Sequence, residues 1–216
     1  MRNPLLRTLA ILLLPLSLAA CSPAIQVTRL PALDAVTSPI ARVGVLPVHQ
    51  VADAAVPAAR PDAAPPQQPR EMLENALRTG LAARKITVIS SSDLAAATGN
   101  TVAALDSLEP AAACEQARAH DAADAVVSAE VLRFRERKGS DLGVDQPASV
   151  SFRVTLWHVA DHAALWSAEF DETQEPLSSN LFNLGRYPGN GARWLTAEEL
   201  LRWGAAEAAA RLPTSR

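Results

Sequence analysis

One stretch in the second half of the chain alternates strictly between two kinds of side chain. From residue 150 to residue 157, apolar residues occupy every second position: Val150, Phe152, Val154 and Leu156, separated by Ser151, Arg153, Thr155 and Trp157. Successive side chains of a strand point to opposite faces, so this pattern predicts a strand with one buried face. Residues 160–163 favour a turn, after which Leu165–Phe170 would return antiparallel. The alternation therefore predicts a hairpin that lies against a core.

The chain before this hairpin alternates between strand and helix patterns. Ala41–Val48 and Asp124–Phe134 are β-branched, apolar runs typical of mostly buried strands, and Lys85–Ile89 is a shorter one. Arg70–Arg84 carries a leucine at every fourth position, the stripe of a helix packed on a core.

Shorter helices are predicted between residues 91 and 120. The first would be capped by Ser91, Ser92 or Asp93, and the last would begin at Pro110. A final helix follows Thr196, where Glu199 completes a capping box.

The predicted order of elements is β-α-β-α-α-β-β-β-α. A strand–helix–strand opening requires a right-handed crossover and a parallel pair. We therefore expect an α/β (α+β) fold, with one mixed sheet, a β-α-β opening, an antiparallel C-terminal meander and packed helices. Residues 41–216 would form one domain, residues 49–69 a proline-rich mobile loop, and residues 21–40 a flexible tether.

The amino terminus has the layout of a secretory signal. Arg2 and Arg7 precede an apolar run from Leu9 to Leu18, and small residues follow it. The run is too short and too interrupted for a resting transmembrane helix, which needs about 20 apolar residues. Residues 1–20 are therefore predicted to be a signal peptide.

The sequence Leu18-Ala19-Ala20-Cys21 resembles the lipobox of bacterial lipoproteins. The resemblance implies cleavage before Cys21, diacylation of its thiol and acylation of the new amino terminus, with chains such as palmitate. Two chains give stable membrane anchoring. Under the sorting rule of that family, Ser22 favours the outer membrane, with the domain facing the periplasm; inner-membrane anchoring is the alternative. An ordinary signal peptide with a coincidental cysteine is the other interpretation.

Charge and cysteine content argue against a nucleic-acid-binding protein, a disulfide and a reactive cysteine. The chain has 20 basic and 23 acidic residues, and removal of the signal peptide would increase the acidic excess, so no nucleic-acid partner is expected. With Cys21 lipidated, Cys114 has no partner for a disulfide within the chain. A small buried thiol is the simpler interpretation, since a reactive cysteine needs a nearby base.

Two groups of polar residues are candidates for a chemical site. Asp171, Glu172 and Glu175, with Trp194 as a sugar platform, suggest a glycan hydrolase, but neighbours on an extended segment point to opposite faces. His158 and His162 flank the predicted turn, without an evident third ligand for zinc. No catalytic residue, metal or cofactor is predicted.

All four tryptophans lie in the last third of the chain. Core packing is the favoured interpretation, with Trp157 and Trp166 facing each other across the hairpin. The alternative is a partner-binding surface, since tryptophan is enriched at interface hot spots. That surface would comprise Trp157, Trp166, Phe182 and Trp194.

Three segments carry a resemblance to periplasmic α/β domains: Val43–Val48, Ala119–Val127, and Trp157–Ser167 with its Leu165-Trp166 pair. In order, they are similar to the opening strand, to the Ala-Asp pair that begins a later strand, and to the final hairpin of a group of envelope domains. That group includes the curli secretion lipoprotein, the amino-terminal domain of the TolB protein and the lipoprotein activator of a penicillin-binding protein. Ala122 replaces the expected glycine, and no strand pair suits a curli-type pore.

The resemblance and the absence of a convergent catalytic set favour a non-enzymatic, lipid-anchored periplasmic module. It would bind an envelope partner by a sheet edge or a hairpin face and act in envelope assembly or transport. An oligomeric subunit of an export or secretion apparatus is the first alternative, and a glycan hydrolase the second.

Overall fold

The computed structural model describes residues 24–50, 68–175, 187–188 and 193–213. The described strands are β1 (Ile25–Arg29), β2 (Arg42–Val45), β3 (His49–Gln50), β4 (Thr87–Ile89), β5 (Ala125–Arg135), β6 (Lys138–Gly139), β7 (Val144–Gln146), β8 (Ser149–His158) and β9 (Ala163–Thr173). The described helices are α1 (Pro69–Ala83), α2 (Ser91–Ala97), α3 (Val102–Asp106), α4 (Pro110–Ala119) and α5 (Ala197–Arg211), and a 3₁₀ turn spans Pro31–Ala35.

Seven strands form one mixed sheet, in which six follow the order β1-β9-β8-β5-β2-β4 and β3 adds to β5. Strand β2 runs parallel to β4 and β5, as does β3 to β5, whereas β5, β8, β9 and β1 pair antiparallel. This arrangement confirms the predicted fold class. Strands β6 and β7 form a separate two-stranded hairpin between β5 and β8.

Helices α1 and α5 pack together on one face of the sheet, which we call the covered face. Phe170 stacks on Phe152 at 5.1 Å between ring centroids and meets the edge of Trp203 at 5.6 Å. Gly204 lets α5 approach this ring closely, because a Cβ there would lie 2.7 Å from Phe170. The leucine stripe of α1 is fully buried in the same core, as the sequence predicts.

Helices α2, α3 and α4 pack on part of the opposite face, over β2 and β5. Leu94, Leu105, Cys114 and Val126 are central to this second, smaller apolar cluster. The rest of that face, formed by β1, β9, β8 and the second half of β5, carries polar side chains; we call it the open face.

The prediction of a tether over residues 21–40 is wrong from Ile25 onward. Strand β1 pairs along its whole length with β9, from Ile25 opposite Phe170 to Arg29 opposite Trp166. Leu33 and Ile40 are also buried, at 8% and 6% exposure. The prolines of this stretch limit it to an edge strand and a 3₁₀ turn but do not keep it out of the fold.

Other segment predictions are settled only in part. In the predicted loop 49–69, His49–Gln50 is strand β3 and Pro69 begins α1, while residues 51–67 lie outside the described residues, as do the signal peptide and Cys21. Among the described residues, no helix combines the length and apolar character needed to cross a bilayer.

Helix starts follow the capping signals closely. Thr196 and Glu199 form the predicted capping box of α5, whereas α2 is capped by Ser90 rather than by one of the three residues after it. Arg193 and Thr196 hydrogen-bond Glu199 and, against the effect of burial, lower its pKa to about 2.

Asp124 and Arg42 join the start of β5 to the start of β2. The Asp124 carboxylate accepts from the backbone N–H groups of Ala41 and Arg42, at 3.1 and 2.8 Å, and from the Arg42 guanidinium at 2.9 Å. Burial opposes ionisation of Asp124, but these hydrogen bonds outweigh it and hold its pKa below the ordinary value. The Ala123-Asp124 pair noted in the sequence therefore has a structural role: Asp124 fixes the start of β5 to the start of β2, and we call this set of bonds the Asp124 clamp.

Candidate functional site

The open face presents a row of hydroxyl groups that crosses four strands. Thr28 pairs with Ser167, Ser167 with Thr155, and Thr155 with Ser128. The Thr155 and Ser167 hydroxyls are 3.4 Å apart, and Ser128 accepts a 2.9 Å hydrogen bond from the Trp157 indole. A hydroxyl can donate and accept, so this row suits a polar partner.

A second row, with charged side chains, runs beside the first. In register across the strands lie Gln26, Glu169, Arg153, Glu130 and His49. Arg153 donates to Glu169 at 3.0 Å, and both side chains are nearly half exposed. Such exposed pairs contribute little to stability, so the charges are available for recognition.

The open face ends in a third polar group, at the last residues of β5 and β9. Arg133 hydrogen-bonds the Ser149 hydroxyl at 2.7 Å and forms an ion pair with Asp171. Ser149 also shares a hydrogen bond with Thr173. These cross-strand contacts hold the side chains in place before any partner arrives.

A cleft of about 330 Å³ opens onto the first two rows, where the α3–α4 connection overhangs the sheet. Its floor comes from β5 and β8, and its wall from residues 105–110. The cleft lies at the carboxyl end of β2, the position at which open α/β sheets commonly bind ligands. Among the described lining residues, the titratable ones are His49, Asp106, Glu109, Glu130 and Arg153.

Acidic groups predominate in this cleft. Arg153 is already paired with Glu169, and His49 Nε2 is 4.0 Å from Asp106 Oδ1. Three carboxylates therefore face one guanidinium and one imidazole. The arrangement can hold a cationic side chain.

The structure separates three of the four aromatic residues proposed as a partner surface. Trp166 is 1% exposed and belongs to the core of the covered face, so the surface interpretation is wrong for this residue. Trp157 is half-buried against the second cluster, and Trp194 is half-buried beside the β6–β7 hairpin. Phe182 lies outside the described residues.

Trp157 and Trp166 do not face each other across the β8–β9 hairpin. The register shifts between residues 156 and 157, so that Trp166 pairs with Leu156 and Trp157 with Ala164. This bulge sends the two indoles to opposite faces, which a simple alternation cannot anticipate.

The carboxylates of the last strand diverge as the sequence predicts. Asp171 lies on the open face with Arg133, whereas Glu172 is buried and accepts a 2.7 Å hydrogen bond from the Tyr187 hydroxyl. A glycosidase needs two carboxyl groups that converge on one bond. These two point to opposite sides of the sheet and do not converge.

The described histidines and Cys114 were the remaining candidates for a chemical site, and their contacts are structural. His158 Nδ1 is 2.8 Å from Asp161 Oδ2, and within the described ranges no three His, Cys, Asp or Glu side chains are placed to hold a metal ion. Cys114 is fully buried, and burial raises the pKa of its thiol to about 12. The interpretation of Cys114 as a small buried thiol is confirmed.

Sequence reasoning missed the open face as a unit. Its signal was present in the polar half of each alternation, for example Arg153 and Thr155 on β8 and Ser167 and Glu169 on β9. The missing information was the register between strands and the presence of β1, which extends the rows to a fourth strand.

No family model and no curated protein matches the sequence. Among solved structures, the PelC dodecamer from Paraburkholderia phytofirmans is similar to this chain with a TM-score of 0.51 and 19% identity, covering 89% of this chain and 97% of that one. Lipoprotein GNA1162 from Neisseria meningitidis gives 0.43 and 16%, covering 68% and 89%. The LpoB C-terminal domain from Escherichia coli gives 0.40 and 21%, covering 66% and 90%. At these identities the likeness to PelC concerns the fold alone.

Proposed function

We propose that this chain is a lipid-anchored, non-enzymatic module of the bacterial envelope that binds a protein partner through the open face of its sheet. The observation that carries this proposal is the open face itself: four strands present rows of polar side chains that are ordered by one another and that border an acidic cleft. Preorganised polar groups reduce the entropic cost of binding.

The chemistry of the cleft indicates what the partner presents. Asp106, Glu109 and Glu130 give it an acidic character, and its floor shares Arg153 and Thr155 with the open face. A lysine or arginine of the partner would enter the cleft, while its main chain and polar side chains bond the hydroxyl row. A partner segment with a basic residue flanked by polar ones fits this surface best.

The anchor places this surface at a membrane. In the proposal, Cys21 carries the acyl chains after cleavage, and Ser22 directs the protein to the outer membrane, with the domain on the periplasmic face. Radiolabelled palmitate should enter the wild type and not a Cys21→Ser variant. On membrane fractionation, Ser22→Asp should move the protein toward the inner membrane. Label retained in Cys21→Ser would contradict the anchor, and unchanged fractionation of Ser22→Asp would contradict the outer-membrane assignment.

Charge reversal on the open face tests the binding role directly. Arg153 and Arg202 are both exposed arginines paired with a glutamate, but Arg153 lies on the open face and Arg202 on the outer side of α5. In-cell crosslinking followed by mass spectrometry should recover a specific neighbour from the wild type and from Arg202→Glu, and lose it in Arg153→Glu. Equal recovery from both variants would place the binding surface elsewhere.

The likeness to the PelC dodecamer favours a second candidate, an oligomeric subunit of an export or secretion apparatus. That likeness covers nearly the whole of the PelC chain, so the elements from which that dodecamer is built have counterparts in this fold. Here the partner on the open face would be another copy of this chain. Light scattering should then show an assembly that Arg153→Glu dissociates; a monomer at high concentration contradicts this candidate and leaves the first in place.

A further inference from the structure

One end of the sheet carries both the start of the first described strand and an unusually exposed apolar side chain. Ile25 begins β1 beside Phe170, near the end of β9, and the β6–β7 hairpin joins the end of β5 to the start of β8 at that same end. Leu142, at the hairpin tip, is 88% exposed, compared with 41% for Val27 and Val102. We call this end of the molecule the anchor end.

The covalent chain limits how far the anchor end can lie from the acyl chains. Three residue steps separate Cys21 from Ala24, and an extended chain spans at most roughly 11 Å over three steps. Ala24 is held in place because its carbonyl accepts a 3.1 Å hydrogen bond from the Asp171 N–H. Since residues 25–40 belong to the fold, no long spacer separates the lipid from the sheet.

We propose that the tip of the β6–β7 hairpin contacts the bilayer and inserts Leu142 into its interface. This inference rests on the lipidation of Cys21 in the proposed function. A single exposed leucine is ordinary on a protein surface. Leu142 lies at the tip of a hairpin at the anchor end of the sheet, the end to which the acyl chains are tied, and this position makes the bilayer its occupant.

The hairpin is built so that its tip can leave bulk water. The N–H groups of Leu142 and Gly143 both donate to the Ser140 hydroxyl at 3.3 Å, and the Ser140 N–H donates to the Gly143 carbonyl at 2.8 Å. The Asp141 carbonyl accepts from the Trp194 N–H at 2.9 Å. Backbone groups that are satisfied internally are required in a medium that supplies few hydrogen bonds.

Charged neighbours set the depth of the contact. Arg135 and Lys138 are exposed near the base of the hairpin, and neither forms an ion pair with a residue that the structure describes, so both can meet lipid phosphates. The exposed Asp141 carboxylate beside Leu142, which interacts electrostatically with Arg193, must stay at headgroup level, since burying charged groups is costly. Trp194, half-buried beside the tip, belongs to the residue type enriched at membrane interfaces. The contact is therefore shallow.

The test uses the full-length lipidated protein in phosphatidylethanolamine–phosphatidylglycerol vesicles. Leu142→Cys receives an environment-sensitive nitrobenzoxadiazole label, and Ala160→Cys, in the exposed turn at the opposite end of β8, receives the same label as a matched control. The background is clean, because Cys114 is fully buried and Cys21 is blocked when acylated. Spin-labelled lipids should quench the label at 142 several-fold more than at 160, with a blue-shifted emission.

A second measurement needs no label. Trypsin should cut after Lys138 several-fold more slowly in vesicle-bound wild type than in a Leu142→Glu variant, with other sites cut equally. Equal quenching at 142 and 160, or equal cleavage after Lys138, overturns the proposal. An intact mass without acyl chains overturns the anchor and this inference together, whereas acylation with equal quenching overturns this inference alone.

Discussion

The two faces of the sheet use the same strands for opposite purposes. On β8, Phe152 and Val154 are buried in the core of the covered face, while Arg153 between them and Thr155 after them lie on the open face. On β9, Phe170 is in the core and Glu169 and Asp171 are on the other side. A period of two residues therefore divides the side chains of these strands between the core of the covered face and the polar rows of the open face.

The difference between the two faces indicates where substitutions should leave the stability of the fold unchanged. Side chains of the covered face are close-packed, and Gly204 leaves no space between helix and ring. Side chains of the open face bond mainly to one another across strands. We expect substitutions on the covered face to change the free energy of unfolding, and substitutions on the open face to change binding.

The largest expected effect is Phe170→Ala on the covered face. The ring is fully buried between Phe152, Trp203 and Gly204, and its removal leaves a cavity that the rigid sheet cannot close. The free energy of unfolding should fall by about 4 kcal/mol, measured by urea denaturation followed by circular dichroism. Val27→Ala, on the exposed edge strand, is the control and should cost less than about 1 kcal/mol. Similar losses for the two variants would break the distinction between covered and exposed positions.

The second prediction asks whether the α2–α4 layer is a true core. Leu94 is 1% exposed and lies against Gly44 of β2. Leu94→Ala should lower the free energy of unfolding by about 3 kcal/mol. A decrease in the free energy of unfolding of less than about 1 kcal/mol would mean that helices α2–α4 are packed loosely on the sheet. The strands beneath them would then belong to the open face and not to a second core. The exposed neighbour Ala96, changed to Ser, provides a control on the same helix.

Much of this division could be predicted from the sequence. The alternation of β8, the leucine stripe of α1 and the Thr196–Glu199 capping box each depend on neighbours within a few residues, and each was found in place. Local patterns are enough to predict such elements, because the residues of the element itself show its helical or strand periodicity.

The remainder depended on contacts between distant segments. Residues 25–29 are mostly exposed and carry no buried stripe, so only the edge of β9 makes them a strand. The bulge that separates Trp157 from Trp166 is likewise a property of strand pairing. The open-face rows need the register of four strands, and a one-residue shift would send each side chain to the other face.

The third prediction concerns Asp124, which belongs to neither face but joins β2 to β5 at their starts. Asp124→Asn should cost about 1–2 kcal/mol, because the charge-assisted bonds to Arg42 and Ala41 weaken. Since hydrogen bonding lowers the folded-state pKa, the stabilisation is full above the ordinary aspartate pKa of about 4 and is lost as the pH falls through the lowered value.

Urea denaturation of the wild type and Asp124→Asn at pH 7 and at pH 3 checks this sign. The difference between the two proteins should shrink at the lower pH. Glu115→Gln, an exposed carboxylate on α4, is the control and should show little difference at either pH. A difference that grows as the pH falls would contradict the Asp124 clamp.

The smallest expected effect on stability is Arg153→Gln on the open face, and it sharpens the comparison most. The Arg153–Glu169 pair is nearly half exposed, so its loss should change the free energy of unfolding by no more than about 0.5 kcal/mol. The same change removes an arginine that lines the cleft and interrupts the charged row between Glu169 and Glu130. Partner capture should therefore fall while urea denaturation is unchanged, with Arg202→Gln altering neither. If Arg153→Gln instead lost stability and kept its partner, the open face would be a structural surface, and the separation of roles between the two faces would be refuted.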